Sequence, residues 1–292
     1  MFKNIVVATD FSDASLVAYL YAHRLASRFQ ASLKVVHAYQ IFVNAARPEI
    51  VDYMPDPNEM QKFYEERMAR FIRETDDIPD GNTLVRSRVK VTTEIKMGFA
   101  PNVLIEISKD PSVDLIILGT SGEKNWLDRL LGSVAVEVAR DARCPVLLVP
   151  INADFKGIYH IVYAASRDSA KPKTAGLVID WARHFHSTLH FVHVNMVAEI
   201  EFTRSTKGFF ENYMAHYASD MPHTIESFDA KTVMDGLWRY SSQNSGDLLV
   251  VVSKQRGFWE NLNHHSVSKD LSLHTHLPIL FLHSEDKNHP PV

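Results

Sequence analysis

Residues Val113 to Val134 read VDLIILGTSGEKNWLDRLLGSV. The segment opens on a short, mostly apolar run, Val113–Leu118, of the kind that forms a buried strand. Glycines follow at Gly119, Gly122 and Gly132, in the spacing G-x2-G-x9-G-S. Glycine lets the main chain approach a ligand closely and take positive φ. Gly132 and Ser133 then open a helical segment, and a helix N-terminus offers unpaired N–H groups at the positive end of its dipole. Strand, glycine loop and helix start, in that order, are how a backbone cradles phosphates. The segment therefore marks a nucleotide site at the end of a buried strand.

Outward from it, the chain alternates strand and helix. Ile5–Ala8 and Leu33–His37 are rich in Val and Ile and read as strands. Between them Ala14–Phe29 has helical spacing, with Ser12 as its N-cap and a carboxylate in the first turn. After the irregular Ile41–Pro57, Asn58–Thr75 reads as a charged amphipathic helix, Val89–Lys96 as a half-exposed strand and Asn102–Lys109 as a helix. Ser133–Asp141 and Val146–Val149 supply a last helix and strand. Such alternation implies a parallel sheet covered on both faces, with right-handed crossovers. Ligands of these sheets sit beyond the carboxyl ends of strands, where strand order reverses.

The chain also repeats itself. NIVVATD near the start leads to LKVVHAY, and HIVYAAS in the second half leads to LHFVHVN. Val6 matches Val162 and His37 matches His193, at an offset of 156. DLIILG later matches DLLVVV; Asp114 pairs with Asp247, Ser133 with Ser266 and Pro145 with Pro278, at an offset of 133. The second copy is thus 23 residues shorter, the difference of the two offsets, over the region corresponding to Ile41–Lys90. The join falls near Pro150–Gly157. The recurring His37 and His193 read as structural rather than as acid–base groups.

Composition sets further bounds. A length of 292 residues suggests about two domains, and 46% hydrophobic residues are enough for a core in each. A net charge of -4 asks for neither nucleic acid nor an anionic membrane surface. The single cysteine, Cys144, permits no intrachain disulfide and reads as a small core residue. No apolar run approaches the ~20 residues of a membrane span. The short apolar run at the N-terminus is cut off by Asp10 and reads as a strand, not a secretory leader. The expectation is a soluble cytoplasmic protein.

Several phosphate motifs are missing. There is no G-x4-GK[ST], and no G-x-G-x-x-G follows the first strand. What is present resembles the universal stress protein family in its tandem two-domain form. The resemblance rests on ATD at Ala8, Thr9 and Asp10, on HA at His37 and Ala38, and on M-G-x-x-P at Met97, Gly98 and Pro101. The long glycine motif and the closing CPVLLV complete it. It implies an α/β fold of two similar open-sheet domains, residues 1–150 and 151–292. Each would be a mostly five-stranded parallel sheet of order 3-2-1-4-5 with helices on both faces, the pair related by pseudo-twofold symmetry.

The resemblance further implies ATP as the ligand, with Asp10 on the ribose, Ala38 on adenine through main-chain groups, and Gly119, Gly122, Gly132, Ser133 and Val134 on ribose and phosphates. On this reading a side chain at Gly119 would collide with the sugar, and Gly122 permits the turn away from the sheet. Lys124 and Arg129 read as solvated loop charges. Whether Mg2+ accompanies the phosphates is left open by these residues.

The second copy departs from this pattern. Val252, Gln255 and His265 stand where Gly119, Gly122 and Gly132 stand in the first, and Ser166 replaces Asp10; only Ser266 and Val267 keep the motif. The second domain is therefore expected to hold no ATP in this manner. Phe258 and Trp259 read as core or interface residues. His264, His265, His274, His276 and His283 read as solvated surface histidines rather than metal ligands. Three functions remain in view: a regulatory ATP-binding stress protein, a slow ATPase or phosphotransferase, and a nucleotide-free module. No general base or nucleophile stands out beside the phosphates. Self-association or a protein partner is compatible with all three.

Overall fold

A computed structural model of the chain describes residues 2–41, 56–76, 89–120, 132–195, 202–253 and 277–283. The first half runs β1 (Asn4–Ala8), α1 (Asp13–Phe29), β2 (Ser32–Tyr39), α2 (Pro57–Asp76), β3 (Val91–Met97), α3 (Ala100–Ile107), β4 (Leu115–Thr120), α4 (Ser133–Asp141) and β5 (Val146–Pro150). The second runs β6 (His160–Ala164), α5 (Pro172–Phe185), β7 (Thr188–Asn195), α6 (Phe202–Tyr217), β8 (His223–Asp229), α7 (Val233–Gln243), β9 (Leu248–Ser253) and β10 (Ile279–His283). Local chemistry sets the ends of these elements. The Ser12 hydroxyl caps α1 by accepting from the Ser15 N–H, as expected. α1 and α5 both stop on a left-handed residue, Gln30 (φ 54°) and His186 (φ 57°), which occupy matching positions of the repeat. Among the described residues no helix is long and apolar enough to cross a membrane.

All ten strands form one sheet, in the order β3-β2-β1-β4-β5-β10-β9-β6-β7-β8. Each half therefore has the expected order 3-2-1-4-5. The expectation of two open sheets is refined in one respect: β5 and β10 pair antiparallel, Ile279 opposite Leu148 and Phe281 opposite Val146, and fuse the halves into a single sheet. Every other pairing is parallel.

The register repeats with the sequence, Asn4 pairing Ser32 and His160 pairing Thr188. So do the ties between strands. The Asp114 carboxylate accepts from the N–H groups of Lys3 (2.7 Å) and Asn4 (2.9 Å), and Asp247 accepts from Tyr159 and His160 at the same two distances. His37 Nδ1–H donates to the Thr9 carbonyl and His193 Nδ1–H to the Ala165 carbonyl, both at 2.8 Å. A carbonyl can only accept, so each ring carries its proton on Nδ1. The structural reading of the two histidines is thus the one their geometry supports.

Alternation along the strands sends side chains into two layers. Ile5, Val7, Leu33, Leu115 and Ile117 face α1 and α2, while the corresponding face of the second half carries α5 and α6. Val6, Val36, Ile116 and Leu118 face α3 and α4, with α7 on that side of the second half. Full burial of such a Leu, Ile or Val stabilises the fold by roughly 1.5–3 kcal/mol. The halves also meet through helices. Phe29 at the end of α1 packs against Trp181 (5.3 Å between ring centroids) and stacks on His184 of α5 (4.7 Å). The Nε2–H of that histidine donates to the Arg28 carbonyl at 2.9 Å.

Candidate functional site

β1 has β2 on one side and β4 on the other, so strand order reverses there. Beyond the carboxyl ends of β1 and β4 lies a cavity of about 300 Å³. Six of the seven residues expected to bind ligand line it: Asp10, Ala38, Gly119, Gly132, Ser133 and Val134. The seventh, Gly122, lies outside the described residues, as do Lys124 and Arg129. The apolar wall comes from Val36, Ala100, Leu104, Leu118 and Ala135, on the α3–α4 side of the sheet.

Ala38 owes its place to strand length. Val36 accepts from the Thr9 N–H across to β1. Two residues on, Ala38 points its N–H and C=O in the same direction, but β1 has already ended at Ala8. Among the described residues no backbone partner meets that pair, which leaves a donor and an acceptor side by side on the cavity wall.

Asp10 sits in the β1–α1 turn. The Ser12 N–H (3.0 Å) and hydroxyl (2.5 Å) both donate to its Oδ1. Desolvation opposes its ionisation, but these hydrogen bonds outweigh it and hold the carboxyl below the usual carboxylate range. The group is therefore an ionised acceptor at neutral pH, suited to hydroxyl donors and unsuited to phosphate. Behind it the hydroxyls of Thr9 and Ser15 share a hydrogen bond of 2.9 Å, and Phe11 N–H donates to Thr9 Oγ1 at 3.0 Å. Phe11 takes φ of 65°, a left-handed conformation costing a non-glycine residue about 1–2 kcal/mol. The kink at Phe11 has no signature in the sequence, whereas the main-chain role of Ala38 is the one the family resemblance implies.

Gly132 is the N-cap of α4, with φ of 71°, so the helix opens on Ser133 rather than being capped by it. The first intrahelical bond runs from Val136 N–H to Gly132 C=O. The N–H groups of Ser133 and Val134 precede that ladder and stand at the cavity.

Gly119 has a structural reason besides the expected one. It lies within β4, and a Cβ there would come within 2.3 Å of the Ala14 carbonyl oxygen and 3.0 Å of the Ser15 nitrogen, two residues that themselves line the cavity. The residue is glycine because α1 begins against it; only its backbone borders the cavity. By the same parity Val252 is buried in the α5 layer of the second half. At the corresponding cleft Val194 replaces Ala38, and α7 lies against it so tightly that a Cβ on Gly236 would come within 2.7 Å of both Val194 methyl groups.

The histidine expectation needs correction at one position. His283 ends β10 fully inside the protein, 5% exposed, and burial pushes its pKa down to about 4. The other four tail histidines lie outside the described residues, as do Phe258, Trp259, Gln255, Ser266 and Val267. Among the described residues no cluster of three or more His, Cys, Asp or Glu is placed to hold a metal. Sequence reading missed a part-buried pair: His160 Nδ1 and the buried His190 Nε2 lie 3.2 Å apart, with Thr224 Oγ1 3.0 Å from His190 Nδ1.

Comparison with known proteins adds ancestry to this geometry. The model of the universal stress protein family matches residues 1–150. Universal stress protein MJ0531 of Methanocaldococcus jannaschii is 30% identical over 150 residues, which cover 51% of this chain and 82% of the relative. A universal stress protein of Thermus aquaticus is 29% identical over 149 residues, covering 51% of this chain and 99% of its own. The crystal structure of a universal stress protein from Archaeoglobus fulgidus superposes on the whole arrangement, with a TM-score of 0.68 over 96% of both chains at 14% identity. The fold is thus shared over 96% of the chain, and the family model matches its first half. This chain belongs to the universal stress protein family.

Proposed function

We propose that this universal stress protein is a regulatory nucleotide-binding protein that holds one ATP, in the cleft of its first half. The observation that carries the reading is the layout of that single cavity. A backbone donor–acceptor pair at Ala38 stands on an apolar wall that suits a flat base. An ionised Asp10 suits ribose hydroxyls. The first N–H groups of α4 suit phosphates. Adenine offers on one edge an acceptor and a donor, the complement of what one residue's N–H and C=O present.

Residues 1–150 are then the nucleotide-binding unit. Residues 151–292 are a degenerate copy with Ser166 for Asp10 and Val194 for Ala38. Mg2+ with the phosphates, a cytoplasmic setting and a protein partner that reads the bound state belong to the same proposal. The test is to purify the full chain, release bound small molecules by heat and count adenine nucleotide per chain. About one per chain after saturation with ATP is expected. Two per chain would refute the degenerate second half, and none would refute the reading altogether.

A further inference from the structure

Asp10 and Phe11 are consecutive, yet they serve opposite layers of the sheet. Asp10 lines the cavity on the α3–α4 side. The left-handed kink at Phe11 turns its ring to the other layer. There the ring lies 4.4 Å from the imidazole of His37 and 5.7 Å from Phe71, and the Arg67 guanidinium stands 4.6 Å from its centroid. His37 in turn packs against Tyr64 at 4.6 Å while its Nδ1–H holds the Thr9 carbonyl. Tyr64, Arg67 and Phe71 all belong to α2. The turn that carries Asp10 is therefore gripped from behind by one helix.

The second half makes the same crossover without the kink. Ser166 and Arg167 stand at the positions of Asp10 and Phe11, and no left-handed residue occurs in the β6–α5 turn. α5 also begins at Pro172, about one turn later than the repeat would place it. The fold alone does not require the kink; it occurs together with the acidic residue and is missing together with it.

We propose that α2 is the positioning element of the cleft and the reporter of its occupancy. Phe11 and Arg67 are positioning residues that hold the β1–α1 turn so that Asp10 meets the nucleotide. A nucleotide that engages Asp10 tightens α2 against the sheet, and by reciprocity anything that loosens α2 weakens nucleotide binding. The coupling rests on the nucleotide reading above.

The test uses the full chain with ATP as probe, reading hydrogen exchange peptide by peptide together with affinity. In the unmodified protein ATP is expected to slow exchange in the first turn of α4 and in α2. Phe11→Gly keeps the backbone conformation and drops the ring; Arg67→Ala removes an exposed cation. Each is expected to bind ATP about five- to tenfold more weakly and to lose the α2 response, with the α4 response retained at saturation. Arg67→Lys, which keeps a cation over the ring, is expected to recover most of the affinity. Where Phe11→Gly lowers the unfolding midpoint sharply, the two Arg67 variants decide. Protection of α4 with no change in α2, or unaltered affinity in the Arg67→Ala variant, would overturn the coupling while leaving the nucleotide site standing. Failure of ATP to bind or to protect any segment would overturn the nucleotide reading, and the coupling with it.

Discussion

Gly119 lies directly beneath Ala14: a Cβ at position 119 would sit 2.3 Å from the Ala14 carbonyl oxygen and 2.6 Å from its carbon. Backbone cannot retreat from such a contact without moving the start of α1. Gly119→Val is therefore expected to destabilise the whole fold, by about 3 kcal/mol or more. Denaturant unfolding of the variant checks this. A midpoint within error of the parent would show that α1 shifts freely.

Ala38→Val tests the cleft with far less damage, because Val194 already occupies the equivalent place in the second half. ATP affinity is expected to fall at least about tenfold as the apolar slot narrows, while the unfolding midpoint moves little. Titration calorimetry on the two proteins gives the answer, and unchanged affinity would remove Ala38 from the base-binding wall.

Asp10→Asn keeps the turn's shape and removes its charge. Loss of a charged acceptor for ribose hydroxyls is worth roughly 1.5–3 kcal/mol, so affinity should drop about ten- to a hundredfold. The discriminating control is a ligand lacking both ribose hydroxyls. It should bind parent and variant alike; a large difference between them would show that Asp10 acts elsewhere.

Acid should weaken the fold through three histidines. Burial lowers the pKa of His37, His190 and His283, with the proximity of His160 adding to the effect on His190. Each is neutral when folded and takes up its proton more readily when unfolded. Stability is therefore full above the unfolded value of 6.5 and declines as pH falls below it. For His283 the decline continues to about 4, worth up to about 3 kcal/mol. Unfolding midpoints measured from pH 7 to pH 4 should fall along this course. A His283→Leu variant should show a flatter profile; an identical one would remove His283 as a cause.

The repeat makes a symmetric prediction. Asp114 and Asp247 each receive two backbone N–H groups at matching distances in opposite halves. Asp114→Ala and Asp247→Ala should each cost about 1–2 kcal/mol, and the two costs should agree. Melting the single and double variants side by side would expose any half that does not need its tie.

Most element positions could be read directly, because Val- and Ile-rich runs recur at fixed offsets and Ser12 announces α1; strand order followed only from the family resemblance. The cleft residues could be read because glycine spacing is tied to position: Gly119, Gly132 and Ser133 do meet Asp10 and Ala38 at one cavity. What stayed hidden depends on distant partners. The space that a side chain on Gly119 would need is filled by α1, far away in sequence. The main-chain role that the resemblance implies for Ala38 finds its physical cause only in the fold, where β1 stops short of β2. His283 looked like a surface residue until β10 paired with β5 and buried it.

That β5–β10 pairing has a consequence for how such a protein can change. In an assembly of two identical chains every substitution is made twice, so one cleft cannot be given up without the other. Here the two partners of the seam are parts of one chain, and their association does not depend on protein concentration. One half is free to drift in sequence, serving as a permanent scaffold, while the other keeps its chemistry. Diluting the protein should neither split the sheet nor empty the cleft by dissociation.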